Sequence, residues 1–257
     1  DYSISGSATF CGLDNYKKMF TGGDVFFFKA LSVTIFFAFL NVAVCMITGF
    51  LIALLLNSKM IKRKAALRAI FYIPTIIPYV ATAMIFMWMM SPDFGLFNIL
   101  LKQIGLEGSK WIYDEKTVLP SLLFITAWTA GNVMVVFLAG LQGVPGNLYE
   151  AVEIDGGGFI RKFQYVTLPM MTPIIFFNGL MFLIAIMQGF MPAAVITQGG
   201  PNNATLFYTY YMYKQAFEFS NLGYASALGW VLFLVIAILA AIIFKTSKYW
   251  VFYSDEG

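Results

Sequence analysis

Residues 148–169 read LYEAVEIDGGGFIRKFQYVTLP, a charged and glycine-rich stretch that interrupts an otherwise apolar chain of 257 residues. No Asp, Glu, Lys or Arg occurs between Lys116 and Glu150, and none occurs between Lys162 and Lys214. Charged side chains are therefore concentrated in one short segment with long apolar sequences on both sides. Because charge is costly inside hydrocarbon, this segment is predicted to lie in water between two membrane-crossing helices.

Composition identifies the class of protein. Hydrophobic residues make up 60% of the chain and charged residues 11%, whereas soluble domains carry about 25% charged residues. Mean hydropathy is +0.78. Apolar runs of roughly 20 residues, enough to cross a hydrocarbon layer of about 30 Å, recur along the chain. These features exclude a large soluble domain and predict a polytopic protein of the lipid bilayer. The formal charge of +3 is too small to indicate a nucleic-acid partner.

The chain contains no histidine, which bears on catalysis. Without histidine there is no Ser-His-Asp triad, no HExxH zinc site and no histidine proton relay, and the sequence offers no other nucleophile–base pair. The two cysteines, Cys11 and Cys45, are interpreted as unpaired. We therefore expect a protein that is not an enzyme, with no metal site and no cofactor of its own.

Five apolar runs predict an all-α membrane helix bundle that forms a single transmembrane domain over residues 1–257. The second run contains Pro74 and Pro78, which should kink or interrupt its helix because proline removes a backbone donor and clashes with the preceding turn. The five spans are predicted at about 29–56, 69–90, 118–141, 170–196 and 222–244.

A basic loop after the first span determines the predicted orientation. It contains no acidic residue and, by the positive-inside rule, is cytoplasmic. Alternation then places residues 91–117 and 197–221 outside, and the charged 145–169 segment and residues 245–257 inside. The basic residues of the loop are Lys59, Lys62, Arg63, Lys64 and Arg68.

An odd number of spans leaves the leading segment, residues 1–28, on the extracytoplasmic side. This segment is polar, begins without Met and has no signal peptide before it. We expect the full-length protein to carry a further transmembrane helix, a sixth span, at its N-terminus. The alternative is a five-helix protein whose N-terminus lies outside.

Motifs spread along the chain resemble those of importer-type ABC permeases, in particular the carbohydrate-uptake type exemplified by the larger maltose permease subunit. The charged segment is similar to the EAA loop of that family, and its matching positions are Glu150-Ala151, Asp155-Gly156, Phe163 and Leu168-Pro169. By itself this match leaves open a solvated cytoplasmic loop held only by its own caps. The other motifs, in order, are FCGLDNY at 10–16, RAIFYIP at 68–74, SPDFGLFN at 91–98, TQGGP at 197–201, and AF with GYASA at 216–227.

The resemblance implies a permease subunit of an ATP-driven importer for sugars or oligosaccharides, in the cytoplasmic membrane of a bacterium or archaeon. It implies an ABC ATPase dimer that holds ATP and Mg²⁺, an extracytoplasmic sugar-binding protein and a sugar substrate. The chain has no Walker-type loop, so ATP hydrolysis belongs to the separate ATPase. Because an ATPase dimer offers two clefts and this chain has one EAA-like helix, we expect a second, similar permease subunit in a heterodimer.

The resemblance also makes residues 145–169 the coupling loop that docks on the ATPase. Pro145 suits the first turn of a helix and residues 156–158, all glycine, suit its end, so the helix is predicted over about 146–155. Val152 and Gly157 stand where the family pattern usually has alanine. The predicted ATPase contacts are Glu150, Ala151, Asp155, Gly156 and Gly157.

Polar but uncharged residues in the spans are candidates for a sugar path, because sugars are bound by amide groups, hydroxyl groups and aromatic faces. At helical spacing Trp128, Thr129 and Asn132 share one face of the third span. The alternative is that such residues only join packed helices, as Ser, Thr, Asn and Gln do in membranes. The candidates are Thr126, Trp128, Thr129, Asn132, Asn178 and Gln188.

The loop predicted outside at 197–221 contains a Gly-Gly-Pro turn and the aromatic stretch 207–213. Tyr and Phe at this depth are typical of an interfacial belt. The resemblance gives a second interpretation, docking of the binding protein, with Gly199, Gly200 and Pro201 as the docking loop. Both interpretations stay open.

Other functions fit part of the sequence. An ion-coupled secondary carrier or channel usually relies on ionisable residues within the membrane, and the cores of the five predicted spans have none. A membrane scaffold does not account for the EAA-like loop. An ABC permease for another small polar solute, such as an amino acid or phosphate, is the alternative within the same class.

Overall fold

The computed structural model describes residues 9–58 and 60–252. Lys59 of the basic loop, residues 1–8 of the leading segment and residues 253–257 of the last segment lie outside the described residues. Throughout the described residues, regular structure is helical, which confirms the predicted all-α fold.

The helices range from single turns to long apolar elements. Three π-helical turns occur, at Phe163–Thr167, Pro192–Thr197 and Lys214–Glu218 of the described chain. In chain order the α-helices are α1 (Asp14–Phe20), α2 (Phe27–Asn57), α3 (Lys64–Ile76), α4 (Tyr79–Met89), α5 (Leu96–Gln103), α6 (Val118–Trp128), α7 (Gly131–Gly143), α8 (Gly146–Ile154), α9 (Phe159–Lys162), α10 (Leu168–Met187), α11 (Tyr208–Tyr213) and α12 (Leu222–Ser247).

Three helices of the described chain are long and apolar enough to cross a membrane without a break. These are α2, α12 and the helix Phe159–Met187, in which a π-helical turn joins α9 to α10. Two further pairs qualify only when their members are taken together, α3 with α4 and α6 with α7. Counting each pair as one span gives five, which is the predicted number.

The second span is interrupted where its prolines stand. Pro74 lies inside α3, Pro78 directly precedes α4, and the two helices are bent by 95°. Between them Ile77 is extended, with φ −69° and ψ 129°, as expected for a residue that precedes proline. The predicted interruption is therefore confirmed, and Pro78 marks its position.

The third span is also broken, so the prediction of one continuous helix over 118–141 was wrong. α6 and α7 are bent by 51° at residues 129–130, and no proline stands there. Instead, Gly131 lies so close to α3 that a Cβ atom on it would be 2.5 Å from the Phe71 carbonyl oxygen. The break therefore accompanies a tertiary contact and not a local breaker residue.

The helix of the fourth span is Phe159–Met187, so the predicted range of 170–196 was wrong at both ends. Arg161 and Lys162 lie in its first turn, whereas the predicted span placed them in the 145–169 loop. Long basic side chains at a helix end reach water while their stems cover apolar surface. The helix therefore begins before the apolar run does, and it ends at Met187.

The chain divides into two compact units. Helices α2, α6, α10 and α12 each contribute residues to both. Among the described residues, the loops predicted outside belong to unit 1 and the loops predicted inside belong to unit 2. Unit 1 contains residues 1–40, 78–125 and 184–239, and unit 2 contains residues 41–77, 126–183 and 240–257.

The core of unit 2 is an apolar cluster on α2, α7 and α10, in which Met46, Phe137 and Met171 are buried. Small residues allow these helices to approach closely: a Cβ atom on Gly49 would lie 2.8 Å from the Val133 side chain. Close packing through small residues is how helices associate in lipid, which offers no hydrophobic driving force between them.

The core of unit 1 surrounds the short helix α11. Tyr208 is fully buried, and its ring lies 6.1 Å from that of Phe27 at an angle of 70°. The rings of Phe207 and Phe37 lie 4.7 Å apart. Aromatic pairs in such edge-on and tilted arrangements stabilise a core beyond the burial of their area.

Replacing Gly131 with alanine should push α7 away from α3. We expect Gly131→Ala to destabilise the purified protein by about 1–3 kcal/mol, because overpacking of a tight contact costs that much. The measurement is the thermal unfolding midpoint in detergent, with Gly143→Ala as the matched control, since a Cβ atom on Gly143 meets nothing within 4 Å. Equal midpoints for both variants would contradict the close contact.

Candidate functional site

Helix α8 occupies the predicted coupling segment. It runs over Gly146–Ile154, close to the predicted 146–155. Pro145 directly precedes it in an extended conformation, with φ −60° and ψ 131°. After the helix, Gly156 has φ +75°, a left-handed conformation that glycine adopts without the steric cost of a Cβ atom. The predicted start and end of this helix are therefore confirmed.

Two side-chain contacts fasten α8 to the long helix that follows it. Tyr149 and Thr167 share a hydrogen bond of 3.1 Å between their hydroxyl oxygens. Lys162 Nζ donates to Glu153 Oε2 at 2.5 Å. Both partners, Thr167 and Lys162, belong to Phe159–Met187, so α8 is tied to the beginning of a membrane span.

Val152 and Gly157, the two residues that depart from the family pattern, contact each other. Gly157 N–H donates to the Val152 carbonyl at 2.8 Å, and a Cβ atom on Gly157 would lie 2.7 Å from that same oxygen and against the Val152 side chain. Gly157 is buried, whereas the other predicted coupling residues are exposed: Glu150, Ala151, Asp155 and Gly156.

Exposed apolar side chains lie next to these acidic residues in the chain, and the pattern of charges and glycines did not predict them. Ile154 is 86% exposed, Phe159 79% and Ile160 68%. The signal was present in the sequence, because these residues lie within two positions of the three glycines that follow α8. Contiguous exposed apolar side chains beside polar ones are typical of a protein interaction surface.

A cavity of about 520 Å³ lies beside α8, within unit 2. It is lined by the end of α2 with Asn57 and Ser58, and by Glu150, Glu153 and Lys162. The inner side of α8 is therefore only partly packed.

Most predicted sugar-path residues belong to unit 2, and several of them bond within the protein. Asn41 Nδ2 donates to the Thr126 hydroxyl at 2.9 Å, which joins the first and third spans as a packing contact would. The Thr129 hydroxyl donates to the Thr126 carbonyl at 2.9 Å, and Asn178 Nδ2 donates to the Ile174 carbonyl at 3.2 Å. Asn41, which is fully buried, was not among the candidates.

Trp128 and Asn132 are exposed. They lie on either side of the bend between α6 and α7, so they do not share one helical face as the helical spacing had suggested. Gln188 is also exposed but belongs to unit 1, where it follows the last residue of α10. It lines a cavity of about 510 Å³ together with Thr209 and Phe233.

The Gly-Gly-Pro turn is a packed element of unit 1. Gly199 is buried with φ +82°, and a Cβ atom on it would lie 3.3 Å from the rings and methyl groups of Tyr210 and Leu206. The buried Thr205 hydroxyl donates to the Gly200 carbonyl at 2.7 Å. Pro201 is half-buried. Exposed surface in this turn is provided instead by its neighbours, such as Asn202.

The aromatic stretch that follows the turn is buried. Tyr208, Tyr210 and Tyr211 are 0%, 7% and 4% exposed, so these residues form neither an interfacial belt nor a docking surface, and both interpretations were wrong for them. Only Tyr213 of the tyrosines in α11 is exposed. These tyrosines are buried because they pack against α2 and α12, and composition does not reveal such contacts.

A buried carboxylate, Asp24, also went unrecognised. Its Oδ1 accepts the backbone N–H groups of Phe26 at 2.9 Å and Phe27 at 3.1 Å, and so caps α2. The Tyr211 and Tyr224 hydroxyls both donate to the carboxylate. An Asp just before a helical apolar run is a recognisable capping signal, but its tyrosine partners are distant in sequence.

Burial, together with the hydrogen bond to the Asp24 carboxylate and its negative charge, raises the pKa of Tyr211 far above its ordinary value. Tyr211 is therefore a protonated donor at neutral pH. The buried Asp24 carboxylate is stabilised by hydrogen-bond donors of the protein itself.

Comparison with known proteins identifies the family. Residues 45–249 match the model of the binding-protein-dependent transport system inner membrane component. The chain belongs to this family. It is a multi-pass membrane protein and a transport component, which accounts for the membrane spans and for a charged loop that lies between two of them.

Relatives support the assignment over nearly the full chain. The probable ABC transporter permease protein YesP of Bacillus subtilis (strain 168) is 36% identical over 99% of this chain and 83% of its own length. The arabinooligosaccharides permease AraP of Halalkalibacterium halodurans is 32% identical, covering 92% and 75%. The trehalose/maltose permease MalF of Thermococcus litoralis is 30% identical, covering 93% and 80%.

Solved structures show the same fold. A chain of a bacterial alginate ABC transporter, in complex with its alginate-bound periplasmic protein, superposes with a TM-score of 0.82 at 22% identity, covering 92% of this chain and 83% of its own. A chain of an amino acid ABC transporter gives 0.56 at 16% identity, covering 95% and 99%. The fold therefore resembles the alginate transporter chain more closely.

Alanine at position 157 should loosen the end of α8. In Gly157→Ala the new Cβ atom collides with the Val152 carbonyl, so we expect a local destabilisation of about 1–3 kcal/mol, seen as faster amide hydrogen exchange over residues 146–158 by mass spectrometry. Gly158→Ala is the matched control, since its Cβ atom would meet nothing within 4 Å. Identical exchange in both variants would refute the contact between Gly157 and Val152.

Proposed function

We propose that this chain is the permease subunit of an ATP-driven importer that moves sugars or oligosaccharides, delivered by an extracytoplasmic binding protein, across the cytoplasmic membrane of a bacterium or archaeon. The observation that carries the proposal is α8, an exposed helix fastened to the start of a membrane span. An ABC ATPase dimer that holds ATP and Mg²⁺ would supply the energy, and a second permease subunit would complete the pore.

The attachment of α8 explains how force from an ATPase would reach the membrane. Both of its fastening contacts, Tyr149 with Thr167 and Glu153 with Lys162, end on the helix Phe159–Met187. A displacement of α8 would therefore move the beginning of that span. The Glu153 side chain of the ion pair is 70% exposed, so the pair contributes modestly on its own. The hydrogen bond between Tyr149 and Thr167 and the short glycine connection therefore also matter.

The chemistry of α8 specifies what its partner must offer. Ile154 and Phe159 would enter apolar pockets, and burying each contributes roughly 1.5–3 kcal/mol. Glu150 and Asp155 form an acidic rim, for which basic side chains or backbone N–H groups are the complementary donors. An apolar centre surrounded by a polar rim is the usual composition of a specific protein interface.

Two lines of support favour sugars as the substrate class. Relatives that are 30–32% identical are named for arabinooligosaccharides, diacetylchitobiose and trehalose or maltose. Within this chain, the exposed candidates Trp128, Asn132 and Gln188 offer an aromatic face and two amides without charge, which suits neutral hydroxylated solutes. Thr126, Thr129 and Asn178 are less exposed and better suited to orienting the path. Gln188 is exposed, although its Nε2 donates to the Ile184 carbonyl at 3.2 Å.

An ion-coupled carrier is disfavoured by the state of the buried carboxylate. Asp24 is the buried acidic side chain of the described residues, and it already accepts hydrogen bonds from two backbone amides and two tyrosines. A proton-binding or sodium-binding carboxylate needs free lone pairs. An ABC permease for another small polar solute is the alternative, and uptake measured with sugars, amino acids and phosphate distinguishes the two.

Reconstitution tests the proposal directly. We expect proteoliposomes that contain this chain, a second permease subunit and the ATPase to take up labelled neutral di- to pentasaccharides when the binding protein is outside and ATP is inside. Uptake should persist when an uncoupler collapses the proton gradient, since ATP is the energy source. Uptake of amino acids or phosphate but not sugars would contradict the substrate class, and uptake by this chain alone under an ion gradient would contradict the transporter class.

Reversing one charge on α8 should uncouple the transporter. In Glu150→Lys the acidic rim gains a positive charge opposite a partner that is complementary to an acid, so sugar uptake should fall at least tenfold and less ATPase should copurify. Glu107→Lys makes the same change on an exposed residue of unit 1 and should leave uptake unchanged. Normal uptake by Glu150→Lys at equal membrane levels would show that α8 is not the coupling surface.

Orientation can be tested by thiol labelling in intact cells. With Cys11 and Cys45 replaced by serine, Lys62→Cys and Gly146→Cys should resist a membrane-impermeant maleimide, whereas Glu107→Cys and Asn202→Cys should react. All four positions are exposed, so accessibility depends on the side of the membrane. The opposite labelling pattern would place α8 away from ATP and overturn the proposed coupling.

A further inference from the structure

Asp24 is a buried acidic residue that has no assigned role in the proposed transport function. An unpaired buried carboxylate is very costly, and Asp24 is stable in its place because four donors surround it. The network continues outward: Gln215 Nε2 donates to the Tyr211 hydroxyl at 2.8 Å, and Asn221 Nδ2 donates to Gln215 Oε1 at 3.2 Å. One carboxylate therefore holds the start of α2, helix α11 and the start of α12 together.

Helix α11 is fixed at both of its ends. At its start, the Tyr208 N–H donates to the Thr34 hydroxyl of α2 at 2.7 Å, and the Tyr208 hydroxyl donates to the Leu228 carbonyl of α12 at 3.0 Å. One turn later, Tyr211 donates to Asp24. Even with the π-helical turn Lys214–Glu218 that continues it, this helix is too short to be stable by itself, so these side-chain contacts help to determine where α11 lies.

The Gly-Gly-Pro turn packs against α11. The Tyr210 ring lies against Gly199, and the turn closes through Thr205, whose hydroxyl donates to the Gly200 carbonyl and lies 2.6 Å from the Thr197 hydroxyl. Because Thr205 is separated from α11 by two residues only, a shift of the helix would displace the whole turn.

The exposed face of this turn is joined to a second loop. Asn202 Nδ2 donates to Glu115 Oε2 at 3.2 Å, and both residues are exposed or half-exposed. The two loops therefore present one polar surface on the side predicted to be outside, while Gly199 and the tyrosines behind it form the packed support.

We infer that Asp24 is a positioning residue for this surface: through Tyr211 and α11 it sets the place of the 197–206 turn on which the binding protein docks. The inference rests on the proposed function. Asp24 itself is buried and does not touch the partner. Its effect is therefore on the fraction of molecules in which the docking surface has the geometry that the binding protein recognises.

The test uses the reconstituted transporter and the sugar-loaded binding protein that stimulates the wild type. In Asp24→Asn the side chain keeps its shape but loses its charge and presents an N–H group to hydroxyls that donate. We expect the binding-protein concentration at half-maximal ATPase stimulation to rise about tenfold, with the maximal rate and the amount of assembled transporter unchanged. Tyr211→Phe should act in the same direction, and the double variant should add little, because the two residues share one interaction.

Asp14→Asn is the matched control. Asp14 is exposed and pairs with Lys17 at 3.4 Å within α1, so this variant should keep the wild-type half-maximal concentration. If the wild type responds to no binding protein, the proposed function fails and the inference fails with it. If the wild type responds but Asp24→Asn and Tyr211→Phe keep its half-maximal concentration, or merely reduce the amount of assembled transporter, the positioning role alone is refuted.

Discussion

The exclusion of charge from hydrocarbon is the constraint on which the rest of this structure depends. Charged side chains are confined to loops and to the ends of the long helices, as Lys29, Arg161 and Lys245 illustrate. The cores of the spans consequently contain no ionisable Asp, Glu, Lys or Arg side chain of the kind on which ion-coupled carriers usually rely. This arrangement is compatible with the proposed supply of energy from outside the membrane, and α8 is the exposed helix that we propose as the point of contact.

Most buried polar side chains of the described residues are hydrogen-bonded, with the hydroxyls of Tyr79 and Thr82 as the exceptions. Asn41 bonds to Thr126 across two spans, Thr34 receives the first N–H of α11, and Asp24 is surrounded by donors. An unpaired group at any of these positions would cost about 1–3 kcal/mol or more. These contacts therefore specify which helices are neighbours, a task that lipid-facing apolar surfaces cannot perform because lipid competes equally well for them.

Rigid attachment and local freedom coexist at α8. The helix is fastened to its span by Tyr149 and Glu153, yet a cavity of about 520 Å³ lies beside it. Glycine permits the left-handed turn at residue 156 that closes α8, while Gly157 packs against Val152. The exposed apolar residues around this turn, such as Ile154 and Phe159, are accessible on the same short segment that is fastened to the span.

Local features of the sequence determined the number of spans, the interruption at Pro78 and both ends of α8. These follow from hydropathy over some 20 residues, from the geometry of proline and from glycine after a helix, all of which act between near neighbours. The break before Gly131, the burial of Tyr208 and Tyr211, and the network around Asp24 were decided by tertiary structure. Each depends on contact between helices that are far apart in the chain: Gly131 meets Phe71, and Asp24 meets Tyr224. No local pattern encodes such a contact, because it exists only once the helices have packed.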